Sequence, residues 1–167
     1  SGNIEIIETN AITVLKAVQG TAGNIVMQAE GTITVDNAGA GNAIVTAGTG
    51  TVSLISFFTG GPSDLLVNDG ILSANGAIVM AAFNDVIFQA DGDIASTAGA
   101  VTITADADNG GTSSGALTMA DGAVINAGSG AIALLADESI TLGQVTTSNT
   151  SATAVTLTTR EGGIVDG

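Results

Sequence analysis

Apolar residues recur along this chain in pairs spaced two apart, set off by glycine and small polar residues. Gly23-Asn24-Ile25-Val26-Met27 leads through a polar bend to Gly31-Thr32-Ile33-Thr34-Val35. Gly76-Ala77-Ile78-Val79-Met80 leads likewise to Val86-Ile87-Phe88, and Gly130-Ala131-Ile132-Ala133-Leu134 to Ile140-Thr141-Leu142. In each unit the second apolar residue of the first run (Met27, Met80, Leu134) lies six residues before the first of the second run (Ile33, Val86, Ile140). Ile4/Ile6 and Ile12/Val14 keep the same offset. Alternation with period two predicts short strands with one face inward and one toward solvent. Self-similarity at about twenty residues predicts a solenoid, in which each unit buries its apolar face only against its neighbours.

Further strands are expected at Val101-Thr102-Ile103-Thr104, Leu117-Thr118-Met119 and Val155-Thr156-Leu157-Thr158, with turns at Asp69-Gly70, Asn75-Gly76, Asn109-Gly110-Gly111 and Asp121-Gly122. The only helical candidate, Val14 to Val18, is stopped by Gly20. First strands placed near Ile4, Ile25, Ile44 or Val52, Ile71, Ile78, Val101, Leu117, Ile132 and Val155 predict seven or eight coils. At about 4.8 Å per coil they make a rod roughly 35 Å long. Two stretches break the rhythm. Leu54 to Asp69 holds Phe57, Phe58 and the only proline, Pro62, which has no N–H to give a ladder. Ala105 to Ser114 is acidic, Gly-rich and without alternation, so it reads as a protruding loop.

Composition sharpens this picture. Hydrophobic residues make up 45% of 167, which excludes a disordered polymer despite 24 glycines. Aromatics are 2%, so the core must be narrow and aliphatic, as inside a thin β-solenoid. Lys16 and Arg160 stand against sixteen acidic residues, a net charge of −14 that repels nucleic acid and anionic lipid. No apolar run is long enough for a membrane helix, and four Phe cannot supply the aromatic girdles of a membrane barrel. Without cysteine there are no disulfides or thiolate metal sites. Both ends read as cut from within a repeat. Residues 1–167 are therefore expected to be one solenoid segment, either flanked by further coils of a longer protein or stacked end to end with other copies.

Gly99-Ala100-Val101-Thr102-Ile103-Thr104-Ala105-Asp106-Ala107-Asp108, and the run from Gly115-Ala116-Leu117-Thr118-Met119 to Gly128-Ser129-Gly130, are similar to repeats of very large bacterial exoproteins. These are the filamentous-haemagglutinin-like and related giant β-solenoid surface proteins. The resemblance implies a right-handed parallel β-helix, secreted or displayed on a bacterial surface, with structural and adhesive roles. It covers nearly the whole chain and is weakest at Leu54 to Asp69.

The chemistry is constrained by absence. With no His and no Cys, the usual nucleophile–base pairs and imidazole ligands are missing, and no catalytic residue is assigned. Some parallel β-helices degrade polysaccharides, but here the two basic residues fall in the first and last coils and cannot serve one site. Carboxylates at i and i+2, Asp91/Asp93 and Asp106/Asp108, are candidate calcium ligands, with acidic turns facing water as the simpler account. Neighbouring Phe57 and Phe58 point to opposite sides of a strand, and the outward one is a candidate partner contact unless the segment folds back over both. The expected role is a rigid extracellular shaft. Its alternatives are a glycan- or host-protein-binding module acting through the two irregular stretches and, further off, a polysaccharide-degrading enzyme.

Overall fold

The computed structural model describes residues 2–57, 61, 63–108 and 115–167. Every apolar pair of the sequence is a strand, and most turns are completed by a third, shorter strand. The first coil is β1 (Ile4–Glu8), β2 (Ile12–Val14) and β3 (Ala17–Gln19); the second is β4 (Ile25–Ala29), β5 (Ile33–Val35) and β6 (Ile44–Thr46). Coil three comprises β7 (Val52–Ser56), β8 (Leu65–Val67) and β9 (Ile71–Ser73), and coil four β10 (Ile78–Ala82), β11 (Val86–Phe88) and β12 (Ile94–Ser96). Coil five has β13 (Val101–Ala105), β14 (Leu117–Met119) and β15 (Val124–Asn126). Coil six has β16 (Ile132–Ala136), β17 (Ile140–Leu142) and β18 (Gln144–Thr146). Two strands of a seventh follow, β19 (Val155–Thr159) and β20 (Ile164–Asp166).

Strands holding the same place in successive coils pair in parallel. They form two seven-stranded sheets, β1-β4-β7-β10-β13-β16-β19 and β2-β5-β8-β11-β14-β17-β20, and a six-stranded third, β3-β6-β9-β12-β15-β18. The chain is an all-β parallel solenoid, with no helix among the described residues. It has six complete coils and part of a seventh, fewer than the seven or eight expected. Ile44 and Ile71 open strands of the third sheet and Leu117 opens one of the second, so counting them as coil starts shortened the period. In the first sheet Ile4, Ile25, Val52, Ile78, Val101, Ile132 and Val155 stack in register, giving coils of 21 to 31 residues.

The bore is filled by columns of like residues. Met27, Leu54, Met80, Ile103 and Leu134 stack in one column, and Ile33, Leu65, Val86, Leu117 and Ile140 in another, all essentially without solvent exposure. Ala29, Ser56, Ala82 and Ala105 line the corner between the first two sheets. Leu54, expected to begin a departure from the stack, is instead at its centre. The irregular stretch is confined between β7 and β8.

The glycine that opens each unit has a steric cause. Gly2, Gly23, Gly50, Gly76, Gly99 and Gly130 each stand two residues before a strand of the first sheet. A Cβ on Gly23, Gly50, Gly76, Gly99 or Gly130 would lie 1.9–2.2 Å from the carbonyl oxygen of the column glycine one coil earlier. Real Cβ atoms do not approach backbone so closely, so the ladder closes this tightly only on glycine. Beside this column runs one of inward hydroxyls. Thr46 Oγ1 donates to the Gly50 carbonyl (2.9 Å), Ser73 Oγ to Gly50 (3.1 Å) and Gly76 (2.8 Å), and Ser96 Oγ to Gly76 (3.1 Å). Buried carbonyls at the corner are thereby satisfied without water.

Candidate functional site

The most unusual side-chain chemistry lies at the corner between the first and second sheets, in coils five to seven. The pairing of β13 with β16 runs from Val101 to Thr104 and stops. Asp106 then turns with φ of 58°, the one non-glycine residue with positive φ among those described. The N–H groups of Asp106 and Ala107 donate back to Asn84 (3.1 Å) and Ala82 (2.8 Å). At Gly115 a Cβ would come within 2.4 Å of the Asp106 nitrogen.

This turn drives the Asp106 side chain inward, leaving the residue 1% exposed. Arg160 Nη1, two coils later, donates to Asp106 Oδ2 at 2.9 Å and stands 3.8 Å from Asp137 Oδ1 of the coil between. The arginine thus ties coils five, six and seven across the outer corner. Asp106 Oδ1 is buried and has no hydrogen-bond donor. Burial pushes the Asp106 carboxyl above the ordinary aspartate value, the Asp108 and Asp137 carboxylates push the same way, and Arg160 opposes them.

Further along the same corner, acidic side chains extend the backbone ladder. Asp64 Oδ1 accepts from the N–H of Asp85 (3.2 Å) and from Asn84 Nδ2 (2.7 Å), and Asp85 Oδ1 accepts from the N–H of Ala116 (2.8 Å). Asn3 and Asn24 do the same for Asn24 and Thr51 at another corner. In each case the side chain reaches the residue stacked one coil above, just outside the paired strand. Asp85 is also raised, first by burial, with the charges of Asp64 and Glu138 adding and the Ala116 N–H opposing.

The residues singled out from the sequence fall apart from one another. Asp91 and Asp93 lie between β11 and β12, where the Asp93 N–H bonds the Asp91 carbonyl and Asp93 Oδ1 accepts from Val124 N–H at 2.9 Å. Asp106 and Asp108 lie at the other corner, Asp106 held by Arg160. Among the described residues, no three acidic side chains converge in a way that could hold a metal ion. Phe57 is half-buried with its ring edge-on to Phe83 of the next coil, centroids 6.4 Å apart. Phe58 lies outside the described residues, as do Pro62 and positions 109–114.

Sequence reasoning missed the Arg160–Asp106 pair, whose members are 54 residues apart. The signal was present only after the coils are aligned, because Asp106, Asp137 and Arg160 each follow the last residue of a first-sheet strand. Fold and corner together define a three-sheet parallel β-solenoid with side-chain-reinforced corners. Comparison with family models, curated proteins and solved structures gives no match.

Proposed function

We propose that this chain is a rigid shaft segment of a bacterial surface or secreted β-solenoid protein, of the filamentous-haemagglutinin-like kind that its repeats resemble. The observation that carries this reading is the uninterrupted, in-register stack of aliphatic layers from coil to coil. Ladders on three sides and a dry core resist bending. The strongest polar contacts reinforce the stack: Arg160 spans three coils, and the corner carboxylates and amides bond the next coil's backbone. The charge of −14 keeps such a rod soluble and apart from anionic surfaces.

A binding module is the reading to test against it. Deleting residues 57–63 and, separately, 107–114 from the cell-displayed parent leaves adhesion and glycan binding unchanged if the segment is a shaft. Loss of binding on either deletion, with the β-rich circular dichroism retained, would move recognition into that segment. Incubation with neutral and acidic glycans, followed by product analysis, tests polysaccharide degradation, and the shaft reading expects no cleavage.

A further inference from the structure

The last turn between the third and first sheets departs from the others. In the earlier coils this corner is crossed in four or five residues, at 20–24, 47–51, 74–77, 97–100 and 127–131, and each of these turns holds a column glycine. After β18 the chain takes eight residues, 147–154, and Thr153 stands where the glycine would be. The base of this longer turn is pinned to the coil below. Thr147 Oγ1 donates to the Gly130 carbonyl (2.6 Å) and Ser148 Oγ to that of Gly128 (2.9 Å). Beyond these anchors Thr150, Ser151, Ala152 and Thr153 are all exposed. Asn149 closes an Asx turn, its Oδ1 accepting from the Ser151 N–H at 2.8 Å. Neither Asn149 Nδ2 nor Ser151 Oγ is engaged by another described residue. None of the sixteen acidic residues lies in this turn or in the five stacked below it.

We propose that Asn149 is a site of N-glycosylation. Asn149-Thr150-Ser151 is the Asn-x-Ser acceptor pattern, and no other asparagine of the chain has a hydroxyl residue two positions on. Its geometry fits the reaction. An acceptor must offer the amide nitrogen to the donor and the serine hydroxyl to the transferase at once. The Asx turn engages only the amide oxygen and brings residue 151 round toward the side chain. Nδ2 then attacks the anomeric carbon of a phosphate-activated sugar. The N–C bond forms, the C–O bond to the phosphate breaks, the phosphate leaves with the electron pair, and one Nδ2 proton passes to solvent. Such a donor is anionic and meets no carboxylate in this turn, whereas Asp64, Asp85, Asp106, Asp137 and Glu138 gather at the corner between the first and second sheets. The bulge lies outside the β16–β19 ladder, so a sugar on it leaves the stack intact. The inference goes beyond the shaft reading and does not depend on it.

The test uses the whole folded chain in two arms. One supplies a soluble N-glycosyltransferase with a nucleotide-activated hexose, the other a membrane oligosaccharyltransferase with a lipid-linked oligosaccharide. Cleavage after glutamate releases the fragment 139–161, in which Asn149 is the only asparagine, and electron-transfer fragmentation locates any added sugar. The expected result is a sugar on Asn149 in at least one arm, and the arm identifies the donor. Asn149→Asp keeps the acceptor oxygen of the turn and abolishes the addition. Ser151→Thr retains it, whereas Ser151→Ala slows it about tenfold, as loss of one hydrogen bond from the acceptor complex does, with the melting temperature of the parent unchanged. A fragment unmodified in both arms, beside a free Asn-x-Ser peptide that is modified, would overturn the proposal. So would addition that occurs only after the chain is denatured, or that Ser151→Ala leaves at the parent rate. Each of these failures leaves the shaft reading standing.

Discussion

At the residue scale, the tightest constraint on this fold is the absence of atoms. Gly99 would place a Cβ 1.9 Å from the Gly76 oxygen, and neither backbone can retreat without opening ladders on both sides. Gly99→Ala is therefore expected to lower unfolding free energy by about 1–3 kcal/mol, as overpacking a close-packed interior does. Gly163→Ala, with nothing within 4 Å, changes it by about 0.5 kcal/mol or less. Equal losses from the two in a denaturant titration would remove the steric account. A second prediction concerns acid. Asp106 and Asp85 are both raised above the ordinary value of 3.8, burial being the first cause. The fold favours their neutral forms, so their contribution is full below the unfolded value and is lost as pH rises through the folded one. Stability should fall as pH climbs out of the carboxylate range, a trend that repulsion among sixteen acidic residues reinforces. Asp106→Asn isolates the local part by flattening the slope, whereas Arg160→Met, removing the group that opposes the shift, steepens it. A slope unchanged in both variants would show that Asp106 takes no part.

At the scale of the element, each first-sheet strand is a short alternating segment sandwiched between two copies of itself. Leu54, at the centre of β7, is fully buried between Met27 and Met80. Leu54→Ala should cost about 2–5 kcal/mol, since flanking coils fixed by their own ladders cannot collapse into the space. Val165→Ala, outward on β20 and half exposed, should cost about 0.5 kcal/mol or less. Thermal melts of the two variants check the contrast. These strands were the legible part of the chain, because Ile25/Met27 and Ile33/Val35 display period two in the residue types themselves. The third sheet was harder to read. Its strands are three residues long, and β6, β9 and β12 offer one large inward residue each, as in Ile44-Val45-Thr46 or Ile94-Ala95-Ser96. Their second inward place goes to a hydroxyl that serves the glycine corner, so the apolar alternation stops after one term. The calcium doublets read well as spacing and poorly as geometry. What Asp93 and Asp106 touch depends on Val124 and Arg160, which are remote in sequence and near only after the coils stack.

For the whole molecule, stability is distributed along one axis. Apart from the reach of Arg160 to Asp106, each coil packs on the coils above and below it, so its opening free energy depends on having both neighbours. Inward side chains are fully covered in coils two to five and partly uncovered at Ile4, Ile6 and Ile12 below and Val155 and Ile164 above. Amide exchange should accordingly be slowest in β4, β7, β10 and β13 and fastest in β1 and β19. The two ends differ, however. The seventh coil is tied through Arg160 to Asp106 in coil five and lies close to Asp137 in coil six, whereas Lys16 of the first coil reaches only the Asn42 carbonyl of the coil next to it. Cutting the tie with Arg160→Met should accelerate exchange in β19 and β20 by roughly tenfold, about 1.4 kcal/mol of local opening free energy, a typical value for a charged hydrogen bond. Protection in β1 and β2, six coils or about 29 Å away, should not change. Acceleration spread evenly over every coil would mean that the molecule opens all at once, and that the arginine supports the fold as a whole rather than fastening one end of it.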